Sequence, residues 1–409
     1  MMKMRSYYNL NTAILALLFL AFFFSKPTLQ TSSSSPYPKY PPPPPCQRLV
    51  NAYFALQAFK RSITSDPQGF TSNWFGPNVC NYNGVFCAPA PVDPKCDTVA
   101  GIDLNHAGLS GVLPEELGLL TDLALFHINS NRFCGTLPKS FTKLKLLFEL
   151  DVSNNDFSGD FPSVVLNLPS LKYLDIRFNN FQGSIPPALF DLKLDALFIN
   201  NNKFKSSLPK NIGNSTVSVL VLANNDFQGC LPSGIGKMGK TLNEIILMNA
   251  GLGACLPEEL GLLKKVTVFD VSFNNLVGKL PESIGEMTSL EQLNVAHNKL
   301  SGEIPASICS LPKLQNFTYS YNYFCGEPNK CLSLPAKDDT KNCIPSRPAQ
   351  RSAQECQAFY SRNLVDCSAF GCQSKRWPPP PPPKVSRPPP PAPKKPVASS
   401  PSPPPPVYY

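Results

Sequence analysis

A motif of about twenty-four residues recurs through the middle of the chain, and no other feature restricts the fold as much. The stretches LFELDVSNNDFSGDFPSVVLNLPS (147–170), VTVFDVSFNNLVGKLPESIGEMTS (266–289) and LEQLNVAHNKLSGEIPASICSLPK (290–313) align as LxxLxLxxNxLxGxIPxxLxxLxx. Nine full copies start 23 to 25 residues apart, and a truncated copy follows; they begin at Val99, Leu123, Leu147, Leu171, Leu194, Val217, Leu242, Val266, Leu290 and Leu314. Such a period predicts a solenoid in which every repeat buries its apolar face against its neighbours.

The alternation within xxLxLxx predicts a short strand, because apolar side chains two residues apart point to one face. Stacked copies therefore predict one continuous parallel sheet. The asparagine that follows is expected to turn inward and to bond backbone groups at the bend, each bond contributing about 1 kcal/mol. Ala107 and Ala250 replace it in two copies. It is present at Asn131, Asn155, Asn179, Asn202, Asn225, Asn274, Asn298 and Asn322.

The cysteine pattern predicts an oxidising compartment. All fourteen cysteines lie between Cys46 and Cys372, beyond the N-terminal apolar run, and an even number of thiols in an exported chain favours disulfides. Metal binding is the weaker interpretation, because there is no CxxC pair and the three histidines do not form a ligand cluster. Cys230 and Cys255 share one offset in adjacent repeats about 5 Å apart, which predicts that they pair.

The ends of the solenoid need covers. Residues 46–98 are predicted to form an N-terminal cap with a bridge at Cys80 and Cys87 or their neighbours, ahead of repeats over 99–331. Residues 332–372 are predicted to form a C-terminal cap and cysteine-rich hinge. The cysteines assigned to this end of the stack are Cys309, Cys325, Cys331 and Cys343.

The two termini have compositions of their own. Residues 1–25 read as a signal peptide whose eleven-residue apolar run is too short to span a membrane. Residues 26–45 are rich in Ser and Pro, and 373–409 are proline-rich and expected to be an extended, disordered spacer. These termini hold the basic excess of a chain with net charge +9, which leaves −1 for 46–372. A near-neutral folded part argues against nucleic-acid binding.

Outward strand positions of such a solenoid line a concave surface. Several are large and apolar where a purely structural face would be polar, which predicts binding of a peptide or protein. The alternative is that Phe198, Val221 and Ile246 serve strand propensity or mutual packing. His106 and His127, on adjacent strands, suit either a pH-sensitive contact or ordinary surface histidines. The predicted binding residues are Asp103, His106, His127, Asp151, Asp175, Arg177, Phe178, Phe198, Asn200, Phe273, Asn294, His297, Tyr319 and Tyr321.

Enzyme chemistry is not indicated. The chain has no GxSxG, no HExxH and no phosphate-binding glycine loop. Acidic pairs such as Glu258 and Glu259 recur at equivalent positions of different repeats, which favours a solvent-exposed face over a catalytic pair. No cofactor is therefore expected. The sequons at Asn214 and Asn316 are predicted N-glycosylation sites in an exported chain.

The GxIP element, with proline at one offset from Pro114 to Pro305, resembles the plant-specific class of leucine-rich repeats. That likeness implies a second short strand per repeat and a twisted superhelix. A wider resemblance rests on the stretches 98–138 and 311–327, on the cysteine-rich hinge and on a serine followed by four prolines. By these features the chain over 46–372 resembles a plant leucine-rich repeat extensin. The expected fold is an α/β solenoid of about ten such repeats with disulfide-stapled caps and a disordered proline-rich tail.

The resemblance also implies a function. Members are expected to be cell-wall proteins that bind secreted cysteine-rich peptides of the rapid alkalinisation type and contact pectin and other extensins. Such peptides are basic, which fits Asp103, Asp151 and Asp175 by charge complementarity. Homodimers are also implied. The interchain bridge would come from a hinge cysteine, for which the candidates are Cys356, Cys367 and Cys372.

The last residues resemble one extensin unit. Ser402 precedes prolines that would be hydroxylated, and Tyr408 and Tyr409 resemble an oxidative crosslinking site. The unit occurs once, so a short-tailed member and a truncated sequence both remain open. Two alternative functions stand beside peptide binding, an inhibitor of a hydrolase such as polygalacturonase and a purely structural wall glycoprotein. Those inhibitors lack the hinge and tail, and a structural role leaves nine repeats unexplained. The four prolines of the unit are Pro403, Pro404, Pro405 and Pro406.

Overall fold

The computed structural model describes residues 46–361 and 365–370. The predicted signal peptide, the 26–45 segment, Cys372 and the whole 373–409 tail lie outside the described residues. Among the described residues, no helix is both long and apolar enough to cross a membrane.

One long sheet of twelve strands runs through the described chain, with one strand per repeat, which confirms the predicted solenoid. All neighbours are parallel except the first pair, which is antiparallel. Numbered in chain order, its strands are β2 (Val85–Pro89), β3 (Asp97–Asp103), β5 (Leu125–His127), β7 (Glu149–Asp151), β9 (Tyr173–Asp175), β11 (Ala196–Phe198), β13 (Val219–Val221), β14 (Glu244–Ile246), β16 (Val268–Asp270), β18 (Gln292–Asn294), β20 (Asn316–Thr318) and β22 (Ala336–Asp338).

A second set of short strands follows the turn of most repeats, as the likeness to plant-type repeats implies. These strands form one sheet of six and one of four. They are β1 (Ile63–Ser65), β4 (Ser110–Val112), β6 (Arg132–Gly135), β8 (Asp156–Asp160), β10 (Asn180–Gly183) and β12 (Lys203–Phe204), then β15 (Gly253–Ala254), β17 (Asn275–Gly278), β19 (Lys299–Glu303) and β21 (Tyr323–Gly326).

Short 3₁₀ helices close most repeats on the side opposite the long sheet. Most begin just after the repeat proline, which fixes φ and cannot donate to a sheet. Within residues 46–361 and 365–370, two α-helices flank the stack, α1 (Gln47–Ser62) and α2 (Ala353–Tyr360). The 3₁₀ helices are Val79–Asn81, Glu115–Leu119, Lys139–Lys143, Ser163–Asn167, Pro187–Asp191, Lys210–Asn214, Ser233–Lys240, Glu258–Leu262, Glu282–Glu286, Ile308–Ser310, Asn329–Ser333 and Cys367–Phe370.

The core lies between the long sheet and the 3₁₀ side. The middle residue of each long-sheet strand from β5 to β20, such as Phe126 or Leu150, is fully buried, and burying one such side chain stabilises the fold by about 1.5–3 kcal/mol. Phenylalanines of neighbouring repeats continue the stack: the rings of Phe157 and Phe181 lie 6.3 Å apart and nearly parallel.

The inward-turned asparagines form a ladder, as predicted. Asn155 Nδ2 donates to the carbonyls of Ile128, Val152 and Ser153 at 2.9, 3.2 and 3.0 Å, and its Oδ1 accepts from Phe133 N at 2.9 Å. The same arrangement recurs at Asn131, Asn179, Asn202, Asn225, Asn274, Asn298 and Asn322, and also at Asn342 beyond the predicted set.

The N-terminal cap packs around Trp74, which is fully buried, with its ring stacked 5.6 Å from Tyr82. Cys80 pairs with Cys87, as predicted, and Cys46 pairs with Cys96. At the other end the long sheet continues one strand beyond residue 331, because β22 pairs with β20. That strand lacks the leucine pattern, which is why the repeat count from sequence stops short of it.

Between described residues, three disulfides involve the C-terminal part of the chain: Cys309–Cys331, Cys343–Cys356 and Cys255–Cys367. Cys325 is a free, exposed thiol, so its predicted place among the bridged cysteines of this end is wrong.

The predicted pairing of Cys230 with Cys255 is also wrong, although both residues are disulfide-bonded. The prediction took its distance from stacked strands, but neither cysteine lies in a strand, so repeat spacing does not bring their Cβ atoms to the roughly 3.8 Å that a disulfide needs. Cys255 is reached instead by Cys367, 112 residues later. Gly278 permits this approach, since a Cβ there would lie 2.9 Å from both sulfurs.

We call residues 343–361 and 365–370 the C-terminal strap, because they fold back along the second strands. The ring of Phe359 stacks 3.8 Å from that of Tyr323, and the Arg351 guanidinium lies 4.3 Å over the same tyrosine ring. Cys356 and Cys367 are in intrachain disulfides, which contradicts their candidacy for an interchain bridge.

Candidate functional site

The candidate site is the open face, defined here as the solvent side of the twelve-stranded sheet. Residues on either side of the buried strand centre point to this face. The next outward residues lead into the turn, and the last one before each ladder asparagine has positive φ. Each repeat therefore contributes four side-chain positions to the open face.

The N-terminal part of the open face is acidic. Asp103, Glu149 and Asp151 are half-buried on it, and His127 Nε2 lies 3.1 Å from Glu149 Oε2. The positive-φ positions form the edge of the open face, which we call the rim, and His106 is exposed there. The predicted acids are therefore brought together here, with one exception.

The exception is Asp175, predicted to be an accessible acid but fully buried. Its carboxylate lies 3.0 Å from Arg177 Nε and accepts from Arg177 N and the Tyr173 hydroxyl at 3.1 and 3.3 Å. Burial, and next the charge of in-register Asp151, raise the pKa of Asp175 to about 7, against the opposing effect of Arg177. The larger neighbours cover this position, so it cannot touch a ligand directly.

The centre of the open face is apolar. Phe198, Val221, Ile246 and Met248 are half-buried there in successive repeats. The Arg177 guanidinium lies 5.1 Å over the Phe198 ring. Glu244 is the acid of this zone, and burial raises its pKa.

A polar cleft of about 90 Å³ lies towards the C-terminal end of the open face, and we call it the C-terminal cleft. Asp270 accepts from Ser272 Oγ at 2.6 Å and from Asn294 Nδ2 at 3.0 Å, and burial raises its pKa. A larger hollow of about 350 Å³ lies among 3₁₀ segments and loops near Lys145 and Asp191, away from the open face. The polar side chains lining the C-terminal cleft are Asp270, Gln292, Asn294, Asn316 and Thr318.

Three rings stack along the rim beside this cleft. The rings of Phe273, His297 and Tyr321 lie 4.1 Å apart in succession, with interplanar angles of 12° and 11°. All three residues, like Phe178, have φ between 52° and 55°, a region that costs a bulky residue on the order of 1–3 kcal/mol. The equivalent positions Asn154, Asn201, Asn224 and Asn249 carry asparagine, which tolerates this conformation. Positive φ therefore imposes strain on these aromatic residues, and in the stack the ring contacts offset it.

Two further predicted residues do not face a ligand. Tyr319 points into the core and is fully buried, because it occupies the second apolar position of its repeat rather than an outward one. Asn200 is 8% exposed, with Nδ2 bonded to Asn201 Oδ1 at 2.7 Å.

Sequence reasoning did not assign several residues to the open face, including Glu149, Tyr173, Asp270 and Asn316. Asp270 occupies the same outward offset as the chosen Asp151, whereas Glu149, Tyr173 and Asn316 occupy the outward offset before the buried strand centre, from which no residue was chosen. Applying both offsets to every repeat would have found them.

Comparison with known proteins places these features in a family. A leucine-rich repeat N-terminal domain model matches residues 52–88, and a leucine-rich repeat model matches 170–192, 265–287 and 289–311. Among solved structures, the Arabidopsis receptor kinase HAESA ectodomain, in complex with an N-terminally extended IDA peptide hormone ligand, has 29% identity and a TM-score of 0.63, covering 72% of this chain and 50% of that one. A TDR receptor has 29% identity and a TM-score of 0.57, covering 60% and 44%.

Two curated relatives from Arabidopsis thaliana match most of the sequence. Leucine-rich repeat extensin-like protein 6 is 64% identical over 359 residues, which is 86% of this chain and 76% of that protein. Leucine-rich repeat extensin-like protein 7 is 70% identical over 325 residues, 80% of this chain and 75% of that protein. With the repeat fold, the two strand sets and the capped ends described above, this chain belongs to the leucine-rich repeat extensin-like family.

Proposed function

We propose that this protein is a non-catalytic, extracellular cell-wall protein that binds a secreted, basic, cysteine-rich peptide of the rapid alkalinisation type on its open face. The proline-rich tail attaches it to the wall. Through the bound peptide it regulates wall formation and cell growth.

The fold likeness supports a peptide ligand. HAESA, which shares this repeat architecture at 29% identity, is solved with a peptide hormone ligand. The disulfides of the described chain suit an oxidising, extracellular setting.

The observation that carries the proposal is the composition of the open face. Half-buried Asp103, Glu149 and Asp151 precede an apolar centre, and the aromatic rim follows. Acids attract and orient a basic ligand, while apolar and aromatic side chains supply most of the affinity in an interface. Rim residues held at positive φ add a rigid, preformed edge.

The test is titration calorimetry of the secreted protein against a panel of folded, basic, cysteine-rich peptides. Asp151→Lys should weaken binding at least about tenfold, because it reverses a charge at the acidic end. Asp156→Lys is the matched control, since Asp156 is exposed on β8, away from the open face. No heat with any peptide, or equal losses in both variants, would refute the proposal. A polygalacturonase digestion of pectin with the protein present tests the inhibitor alternative separately.

Wall attachment rests on the extensin-like unit and is tested on its own. Replacing Tyr408 and Tyr409 with Phe should increase the fraction that salt washes from isolated walls, because phenylalanine cannot form the phenolic crosslink. An unchanged extractable fraction would assign attachment to another part of the chain.

A further inference from the structure

The two glycosylation sequons lie on different sides of the solenoid. Asn214 ends a 3₁₀ helix opposite the long sheet, and its Nδ2 donates to Asp191 Oδ1 at 2.8 Å. Asn316 begins β20 in the long sheet itself. A glycan would therefore have different consequences at the two positions.

The side chain of Asn316 faces the open side of the sheet. The next residue, Phe317, is fully buried, so Asn316 and Thr318 point the other way. Asn316 is exposed, and its Nδ2 donates no hydrogen bond to another described residue. Thr318 Oγ1 donates to Asn316 Oδ1 at 3.3 Å, which holds the two polar groups of the sequon together.

The surroundings leave room for a sugar. On one neighbouring strand the in-register residue is Ala336, whose side chain is a single methyl group, and on the other it is exposed Gln292. The C-terminal cleft begins at Asn316 and continues to Asn294 and Asp270. Amide and carboxylate groups of this kind are hydrogen-bond partners for sugar hydroxyls.

The geometry points to Asn316 as an N-glycosylated residue whose glycan lies in the C-terminal cleft and shields that end of the open face from the peptide ligand. The cleft is thus occupied by a glycan that is covalently attached to the protein itself. The acidic end and apolar centre stay open to the peptide, whereas the glycan limits its contact with the stacked rings of the rim. The shielding part of this inference rests on the proposed function, whereas the occupancy of the cleft does not.

The first experiment needs no ligand. The full chain is secreted from plant cells, glycopeptides are mapped by mass spectrometry, and hydroxyl-radical footprinting measures the oxidation of Phe273 and Tyr321 on the adjacent rim. Asn316→Gln should raise oxidation of Tyr321 several-fold. Thr318→Ala removes the sequon by a second route and should do the same, whereas Thr318→Ser retains the sequon and should match the wild type.

Asn214→Gln is the matched control, because it removes the sequon on the opposite side and should leave rim oxidation unchanged. An unmodified Asn316, or unchanged oxidation in both sequon-deficient variants, overturns the inference. In calorimetry with the basic peptides, Asn316→Gln should bind several-fold more tightly than Asn214→Gln, and equal affinities overturn the shielding. If neither form binds any peptide, the proposed function fails while the mapping and footprinting still decide the occupancy of the cleft.

Discussion

Two adjacent residues of each repeat have opposite physical roles, and Asn298 and His297 illustrate them. Asn298 is buried and bonds four backbone groups. His297 has positive φ, lies at the rim and contacts its equivalents in the flanking repeats. The inner position is nearly always asparagine, whereas the outer one varies between asparagine, serine, histidine and larger aromatic residues. Stability therefore fixes the inner position, and the outer one is available for binding specificity.

The largest expected effect is at the inner position. Asn298→Ala leaves Leu276 N and the Val271 carbonyl, both bonded at 3.0 Å, without this partner. Since each buried group left unpaired costs about 1–3 kcal/mol, the free energy of unfolding should fall by about 3 kcal/mol in chemical denaturation. The control Asn275→Ala alters an exposed asparagine one residue after a ladder position and should stay within about 0.5 kcal/mol. Equal losses would show that burial of the amide does not matter.

Asp175 does not follow this comparison. Its position on the strand points to the open face, yet the residue is as buried as an inner-position asparagine. Its folded pKa of about 7 is above the ordinary value of an unfolded chain, so the folded state binds the proton first. The contribution of this site to stability therefore rises as the pH falls from about 7 to about 4. Asp175→Asn should remove that slope from the free energy of unfolding measured at several pH values.

Asp151→Asn sharpens the test. It removes the neighbouring charge that helps to raise the pKa of Asp175, so the gain in stability should begin at lower pH and be smaller, because the folded and unfolded pKa values lie closer together. A wild-type slope retained in Asp175→Asn would assign the pH dependence to other groups.

The smallest effect is expected at the outer position. Phe178 has positive φ and makes no ring stack with another described residue, so Phe178→Asn should raise the free energy of unfolding by about 1 kcal/mol. His297→Asn relieves similar strain but removes two ring contacts of about 0.5–1.5 kcal/mol each, and should not be stabilising. Thermal unfolding of both variants compares them, and identical shifts would contradict a stabilising role for the stack.

The sequence predicts whatever a single repeat determines locally. The asparagine ladder and the two strand sets follow from side-chain alternation and turn chemistry that recur every 23 to 25 residues. Contacts between residues that are far apart in the sequence cannot be predicted in this way. The Cys255–Cys367 bridge spans 112 residues, and the stack of Phe273, His297 and Tyr321 depends on a positive φ that no residue pattern reveals.

The repeat pattern also does not predict which residues of the open face are buried. Asp151 and Asp175 occupy the same offset in consecutive repeats, yet only Asp175 is covered, because Tyr173 and Arg177 fold over it. The choice of Tyr319 failed for a simpler reason, since it lies at an apolar offset of its repeat. Two outward residues per strand are predictable, whereas their accessibility depends on neighbours in three dimensions.

The covalent return of the C-terminal strap determines where mechanical load enters the molecule. Cys367 is bound to Cys255, beside β15, so tension applied to the described chain just after residue 367 passes through that bridge to the repeat that contains β14 and β15. The final repeats, from β17 to β22, are enclosed in the covalent loop and cannot be peeled away one at a time. A protein held at its C-terminal end would keep its last strands folded under a pull that would unravel an unbridged solenoid from its tip.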